Sequence, residues 1–568
     1  MKKLPIGNSN FREVIEDNYF YVDKSLLIQE VLDSGSKISL ITRPRRFGKT
    51  INLSMLKCWF EVYQGHQIQR EAGLQPTELF HHLKIWQLGE EYTKHCGKYP
   101  VIYLTFKDVK ESNWENCFEK LQDILIIEYQ RHKYLLESSS LDEEDKLYFQ
   151  RILNYSPRAS DYKQSLKNLS KFLHLHYGEK VVVLIDEYDT PVHEAYYKKY
   201  YDLMIDFYRT FLGAGLKDNE HLEKSVITGI LRISKESIFS DLNNFSVYTV
   251  LNNRFADKFG FTQEEVTAAL DYYQLTDKQE GVKTWYNGYV FGNQTDIYNP
   301  WSILNFLEHH SEGLKPHWVN TSSNLIIRDL LSRADSESKK DMESLLKRET
   351  IEKEVQVDTV FSEIENGGNT LWSFLLFSGY LKVVRQRVDG KRLYSQLLIP
   401  NLEIEYLYER FMSGWLTDNL QSYELKELLN SLLTGNVDNL QFLLQKFILN
   451  SFSYLDPTGK EPERVYHAFI LGLLLHLSDS HSVKSNRESG FGRYDIMLIP
   501  KRQNGVGVVI EFKLVYPHLK ETLEISAEKA LKQIEDNQYE EELKSMGASA
   551  VLKYGMAFEG KEVLVLKG

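Results

Sequence analysis

The chain has 568 residues, too many for one hydrophobic core, so on length alone about three domains are expected. Its 68 Lys and Arg against 80 Asp and Glu give a net charge of -12, which excludes a whole-surface attraction to nucleic acid and leaves a local basic patch as the electrostatic route to phosphate. With 42% hydrophobic and 26% charged residues and only 13 prolines, the composition is that of an ordinary globular protein and excludes long disorder.

In chain order, the N-terminal MKKLPIGNSNF has two lysines with no apolar run behind them, so a conventional secretory signal is not expected. Over the first 230 residues the β-rich runs KISLIT, YPVIYLTF, KVVVLID and KSVITGI alternate with helical stretches, the signature of a parallel sheet with crossover helices. Between them Cys58, Cys96 and Cys117 form neither a CxxC pair nor a metal-spaced cluster, which fits a reducing, cytoplasmic setting. From about residue 255 to 450 helical patterns dominate, as in DIYNPWSILNFLEHH and LKELLNSLLTGNVDNLQFLLQKFI, with apolar spacings of three and four. After the turn-rich SYLDPTGKEPER the pattern predicts a helix (Val465 to Leu477), strands within 485–514, a helix (Ile525 to Glu541) and short strands in ASAVLKYGMAF and EVLVLKG, a small second α/β domain. The longest apolar runs, such as Phe469 to Leu475, fall far short of a bilayer span, so no membrane partner is expected.

The stretch ISLITRPRRFGKT (38–50) ends like a phosphate-binding loop: a strand delivers backbone N–H groups to the start of a helix, where they can surround phosphates. Gly48 lets the backbone approach, Lys49 can reach the β and γ phosphates of ATP, and the Thr50 hydroxyl can ligate Mg²⁺. Arg43 stands where the usual pattern has its first glycine, so the opening turn must differ; the guanidinium groups of Arg43, Arg45 and Arg46 could add charge-assisted phosphate contacts. A basic surface turn is the plain alternative. Downstream, KVVVLIDEYD is an apolar strand ending in Asp186, placed to hold Mg²⁺, and Glu187, placed to orient or activate water, with Asp189 as its substitute.

YFYVDKSLLIQEVL, TRPRRFGKT, LIDEYD, ITGILRISKESIFSDLNN, WYNGYVFG and YNPWSIL together resemble the bacterial AAA-ATPase-like family that often carries a C-terminal PD-(D/E)XK nuclease-like domain. The resemblance runs from about residue 4 to near the end. It implies an ATP-binding loop formed by Arg45, Arg46, Phe47, Gly48, Lys49 and Thr50, makes Arg43 a family trait, and places Thr228 as a sensor of the γ-phosphate and Arg232 as a trigger. It also implies an α/β fold in three parts: an N-terminal P-loop NTPase parallel sheet (1–250), a helical lid and connector (251–455), and a restriction-endonuclease-like α/β domain (456–568).

In the last part, GRYDIMLIPKRQNGVGVVIEFKL contains Asp495, Glu511 and Lys513. Glu511 and Lys513, two apart on a strand, share a face. Two carboxylates, Asp495 and Glu511, can hold Mg²⁺ for hydrolysis of a phosphodiester while the lysine positions water or stabilises developing charge. A two-residue turn at Asn504 and Gly505 would put Asp495 on the opposite face; a five-residue loop, Lys501 to Gly505, puts it directly opposite Glu511, and the longer loop is expected. Glu488 precedes Asp495, Glu463 and His467 share a helical face, and Gln533 and Tyr539 follow the strands; Glu463 and Gln533 are candidate supporting groups, and His467 is expected to pack. From residue 461 onward there are 14 Lys and Arg against 16 Asp and Glu, no net pull on nucleic acid.

Two functions fit. The first is an ATP-hydrolysing protein coupled to Mg²⁺-dependent cleavage of nucleic acid, with Glu187, Asp495, Glu511 and Lys513 catalytic. The second is a nucleotide-switched signalling or interaction protein whose nuclease-like domain binds without cutting. Homo-oligomerisation is open in either.

Overall fold

The computed structural model describes residues 1–62, 74–154, 159–233, 245–318, 330, 336–346, 348–357, 369–408, 422–451, 463–477, 480–489, 492–502, 505–515 and 521–568. The chain forms two compact units, Met1–Asn320 with Lys353–Glu403, and Thr321–Glu352 with Ile404–Gly568.

The first unit is built on five strands, β1 (Ile38–Thr42), β2 (Val101–Thr105), β3 (Val181–Asp186), β4 (Leu222–Gly229) and β5 (Phe245–Tyr248). Their order is β2-β3-β4-β1-β5 and every neighbouring pair is parallel. Every residue of β1 and β3 is buried, as central strands covered on both faces must be. Four of these strands are the apolar runs read from the sequence. β5 is four half-buried residues, FSVY, with no apolar run to announce it. The helix Lys49–Phe60 covers one face, packing Leu53, Leu56, Trp59 and Phe60 with Val182, Leu184 and Val226 of the sheet. Because β1 lies next to β4 and β4 next to β3, the loops leaving their carboxyl ends converge, the usual ligand position in an open parallel sheet.

Residues 261–308 add a smaller core of helices, Gln263–Tyr272, Gln279–Tyr286 and Pro300–Glu308, the first started by a Thr262/Glu265 capping box. The middle region is not purely helical. It also carries a short ribbon, β6 (Tyr289–Phe291) and β7 (Gln294–Ile297), and a long antiparallel hairpin, β8 (Lys382–Asp389) and β9 (Arg392–Leu398), two strands of a three-stranded sheet. Glu403 ties the end of this unit to its helices. Its carboxylate accepts from Ser302 Oγ (2.7 Å) and the N–H groups of His317 (2.6 Å) and Trp318 (2.9 Å), and burial pushes its pKa up to about 7 against those bonds.

The second unit holds the helices Ser422–Thr434 and Val437–Ser451 and a five-stranded sheet. Its strands are β10 (His481–Ser489), β11 (Gly492–Pro500), β12 (Gly505–Leu514), β13 (Ala548–Glu559) and β14 (Glu562–Lys567), in that order. All pairs are antiparallel except β12 with β13, whose parallel pairing requires a crossover. The helix Leu523–Asp536 supplies it. The single helix expected over 525–541 is two, because Gln538 adopts a left-handed conformation (φ 55°) before Tyr539–Ser545. Among the described residues no helix is long and apolar enough to cross a membrane.

Candidate nucleotide and nuclease centres

In the first unit, Gly48 takes φ 81° and opens the helix Lys49–Phe60 with no side-chain cap, so the first-turn N–H groups lack the carboxylate or hydroxyl that usually answers them. A phosphate is the natural acceptor there. The turn before it departs from a glycine-rich loop because Arg46 (φ 69°) adopts the left-handed conformation itself. Lys49, only 3% exposed, donates to the carbonyls of Arg43 and Pro44 (both 3.1 Å) and lies 3.2 Å from Glu187 Oε1.

The end of β3 completes the cluster. Asp186 is fully buried and accepts from Thr50 Oγ1 and from Thr228 Oγ1, each at 2.7 Å. Burial, then the charge of Glu187, raises its pKa to about 6 in opposition to those hydroxyls and Lys49. A cation beside Asp186 would remove that penalty, and a hydroxyl and a carboxylate in contact are a hard-oxygen donor set suited to Mg²⁺. Glu187 sits at φ 53°, so both loops facing this point hold a non-glycine residue in a conformation costing on the order of 1 kcal/mol. Such strain gathers at functional sites. Lys49, Thr50, Asp186, Glu187 and Thr228 are therefore brought together.

Other residues of the motif are placed differently. Arg43 is fully buried, donating to the carbonyls of Thr42 (2.8 Å), Tyr248 (3.0 Å) and Phe255 (3.0 Å) and stacking over Phe259 and Phe291. It fastens β5 and the segment after it to the loop, so the phosphate contact open to it in the sequence is not where its guanidinium points. Burial lowers its pKa to about 9. Phe47 is also fully buried, edge-on to Tyr289 (4.9 Å) and tilted against Phe291 (5.3 Å); what it adds to the loop is backbone. Arg45 is half-buried and Arg46 exposed, its guanidinium 4.1 Å over the ring of Trp301. Asp189, the substitute for Glu187, is committed elsewhere: its Oδ2 accepts from the N–H groups of Ile230 (2.8 Å) and Leu231 (2.9 Å) and lies 3.3 Å from His193. Arg232 is half-buried, its charge acting on the Tyr188 hydroxyl; the ITGILRISKESIFSDLNN stretch lies outside the described residues from 234 to 244.

In the second unit the strand register decides the site. β11 and β12 pair Ile496 with Ile510, Met497 with Val509 and Leu498 with Val508. One step further along this register, Asp495 faces Glu511 on one side of the sheet, the arrangement the longer loop requires. Gln503 and Asn504 of that loop lie outside the described residues. Asp495 Oδ2 accepts from the Phe512 N–H (2.8 Å). Glu511 is 2% exposed, and its Oε1 accepts from Lys513 Nζ (3.3 Å) and from Gln533 Nε2. Its Oε2 is buried and has no hydrogen-bond partner among the described residues. Burial, then the charge of Asp495, pushes the Glu511 pKa up to about 8, more than Lys513 offsets.

A carboxylate with one orphaned oxygen, set beside a second carboxylate, fits a divalent cation. Mg²⁺ commonly takes one or two protein carboxylates and fills its remaining positions with water or phosphate. Among the described residues there is no group of three His, Cys, Asp or Glu side chains set to hold a metal. His467 packs edge-on to Phe512 and its Nε2 lies 3.2 Å from the Asp495 carbonyl, a supporting position as expected. The side chains of Glu463 and Glu488 lie outside the described residues.

The residue that sequence reasoning missed is Gly555. It pairs with Glu511 across β12 and β13, and a Cβ there would lie 2.3 Å from the Ala527 carbonyl of the crossover helix. The absent side chain lets that helix close on the sheet and bring Gln533 onto Glu511. Gly555→Ala is expected to destabilise the chain by about 1–3 kcal/mol, read as a lowered midpoint of chemical unfolding. An unchanged midpoint would mean that the helix relaxes freely.

Two stretches of the chain match models of known families. Residues 5–239 match the family model described as "Predicted AAA-ATPase", and residues 461–567 match that of the PD-(D/E)XK nuclease superfamily. The chain is 26% identical over 563 residues to the "Uncharacterized protein in vnfD 5'region" of Azotobacter chroococcum mcd 1, covering 96% of this chain and 94% of that protein.

Proposed function

Because residues 5–239 carry an AAA-ATPase-like domain and residues 461–567 a PD-(D/E)XK nuclease superfamily domain, we propose that the chain binds and hydrolyses ATP and cleaves phosphodiester bonds of nucleic acid in the presence of Mg²⁺. The observation that carries the nuclease half is Glu511, a buried carboxylate with one orphaned oxygen, set against Asp495, Lys513 and Gln533. When bound, Mg²⁺ at Asp495 and Glu511 polarises the phosphodiester and acidifies water, and at Thr50 and Asp186 it draws charge from the ATP phosphates. Lys513 stabilises the charge that develops on the phosphate oxygens, and Gln533 fixes the Glu511 carboxylate. In the first unit Lys49 exchanges its two carbonyls and Glu187 for the β and γ phosphates. That exchange frees Glu187 to orient the attacking water, and Thr228 reports on Asp186 from the neighbouring strand.

The near balance of 14 basic and 16 acidic residues from 461 onward supports the second reading, a nucleotide-switched interaction protein that does not cut. The test is cleavage of single- and double-stranded DNA and RNA by the full chain with Mg²⁺, with and without ATP. The proposed function expects both phosphate release from ATP and cleavage that ATP alters. ATP turnover with no cleavage of any substrate would transfer the assignment to the second reading.

A further inference from the structure

Of the arginines in the loop before Lys49, Arg43 is spent on backbone carbonyls, whereas Arg46 is exposed and carries its guanidinium 4.1 Å over the ring of Trp301. The Arg46 backbone is left-handed (φ 69°), a conformation that glycine adopts freely and an arginine only under strain. Desolvation, then the charge of Arg45, lowers the Arg46 pKa, and the charge of Glu187 acts the other way, so the guanidinium lies within electrostatic reach of that carboxylate. Glu187 is also the residue whose Oε1 lies 3.2 Å from Lys49 Nζ. Two cations from one loop therefore bear on the carboxylate assigned to orient water.

Trp301 is itself fixed. It is the second residue of the helix Pro300–Glu308, its backbone N–H donates to Asn299 Oδ1 (2.9 Å), and its indole Nε1 donates to the His317 carbonyl (3.2 Å). The next residue, Ser302, donates to Glu403 (2.7 Å), which also accepts from the N–H groups of His317 and Trp318. The ring is a fixed platform for the arginine. Stacking on a partly exposed ring is weak beside a charge-assisted bond to phosphate, so it limits the rotamers of Arg46 without withholding it from a nucleotide.

We propose that Arg46 is a catalytic residue of ATP hydrolysis, meeting the γ-phosphate oxygens from within the same chain, and that Trp301 is the positioning residue that holds it ready. The inference rests on the reading of the first unit as one that hydrolyses ATP. In the step, the water oxygen bonds to the γ phosphorus as the bond from that phosphorus to the β–γ bridging oxygen breaks, giving ADP and phosphate. The proton of the water passes by way of Glu187 to the released phosphate. Arg46 keeps its proton throughout and offsets the charge spread over the γ oxygens, as an arginine supplied to a phosphoryl-transfer site does. Ordering it beforehand on Trp301 spares part of the rotamer entropy that a free arginine would lose in the transition state. Because the guanidinium comes from the loop itself, no second copy of the chain is needed to supply it.

The experiment is steady-state ATP turnover by the full chain with Mg²⁺ in excess, resolved into kcat and KM. Arg46→Ala is expected to lower kcat by about 100-fold or more and Trp301→Leu by about tenfold, each with KM changed by less than about threefold. Trp301→Phe keeps a ring under the guanidinium and should recover most of the Trp301→Leu loss. In Arg46→Ala/Trp301→Leu the second substitution should cost nothing further, because a platform without its arginine has no part in the step. A Trp301 that merely packs would cost the same factor in either background. Mixing Arg46→Ala chains with Lys49→Ala chains should give no more turnover than the two give apart. Undiminished kcat in Arg46→Ala, losses that multiply in the double variant, or turnover restored by mixing would overturn the proposal with the ATPase reading intact. No turnover by wild type would overturn both.

Discussion

Replacing Lys49 with alanine is expected to lower ATP turnover by about 100-fold or more, the usual loss when one preorganised charge is removed from a phosphoryl-transfer site. The side chain is 3% exposed and held by the carbonyls of Arg43 and Pro44 and by Glu187, so its ammonium waits where the phosphates of a nucleotide on the Gly48 helix start would lie. Removing it also leaves two carbonyls and a largely buried carboxylate without their cation, so a stability loss of about 1–3 kcal/mol should accompany the kinetic one. Glu187→Gln separates the two effects, because it keeps a hydrogen-bonding partner for Lys49. That variant should bind a fluorescent ATP analogue as wild type does while losing turnover, whereas Lys49→Ala loses both. Full turnover by Glu187→Gln would show that another group orients the water.

Glu511→Gln is expected to reduce Mg²⁺-dependent cleavage by about 100-fold or more while leaving ATP turnover intact. The physical reason is visible without the metal: burial and the facing Asp495 make ionised Glu511 costly, and the cost is removed by a cation rather than by Lys513 alone. The variant should therefore be no less stable than wild type in EDTA. Without nucleotide, millimolar Mg²⁺ should raise the unfolding temperature of wild type more than that of the variant, since a ligand stabilises only a fold that binds it. A variant stabilised by Mg²⁺ as strongly as wild type would place the metal elsewhere.

Much of this was legible in the sequence because its signals are local. The apolar runs ending at Thr42, Asp186 and Gly229 are strands whose ends converge, and the length of the 501–505 loop suffices to put Asp495 opposite Glu511. What was hidden depends on contacts far apart in the chain. Arg43 and Phe47 sit in a motif whose composition points to phosphate, yet their partners, Phe255, Tyr289 and Phe291, lie more than two hundred residues away. Gly555 shows its purpose only once the crossover helix lies on the sheet.

The most direct test of the central claim is a paired assay of ATP turnover and Mg²⁺-dependent DNA cleavage on wild type, Lys49→Ala and Lys513→Ala prepared side by side. Two separate centres, the first acting on the second, predict that Lys513→Ala loses cleavage and keeps ATP turnover, while Lys49→Ala loses turnover and no longer shows any response of cleavage to ATP. Cleavage undiminished in Lys513→Ala would contradict the account, because the cutting would then come from somewhere other than the Asp495, Glu511 and Lys513 cluster.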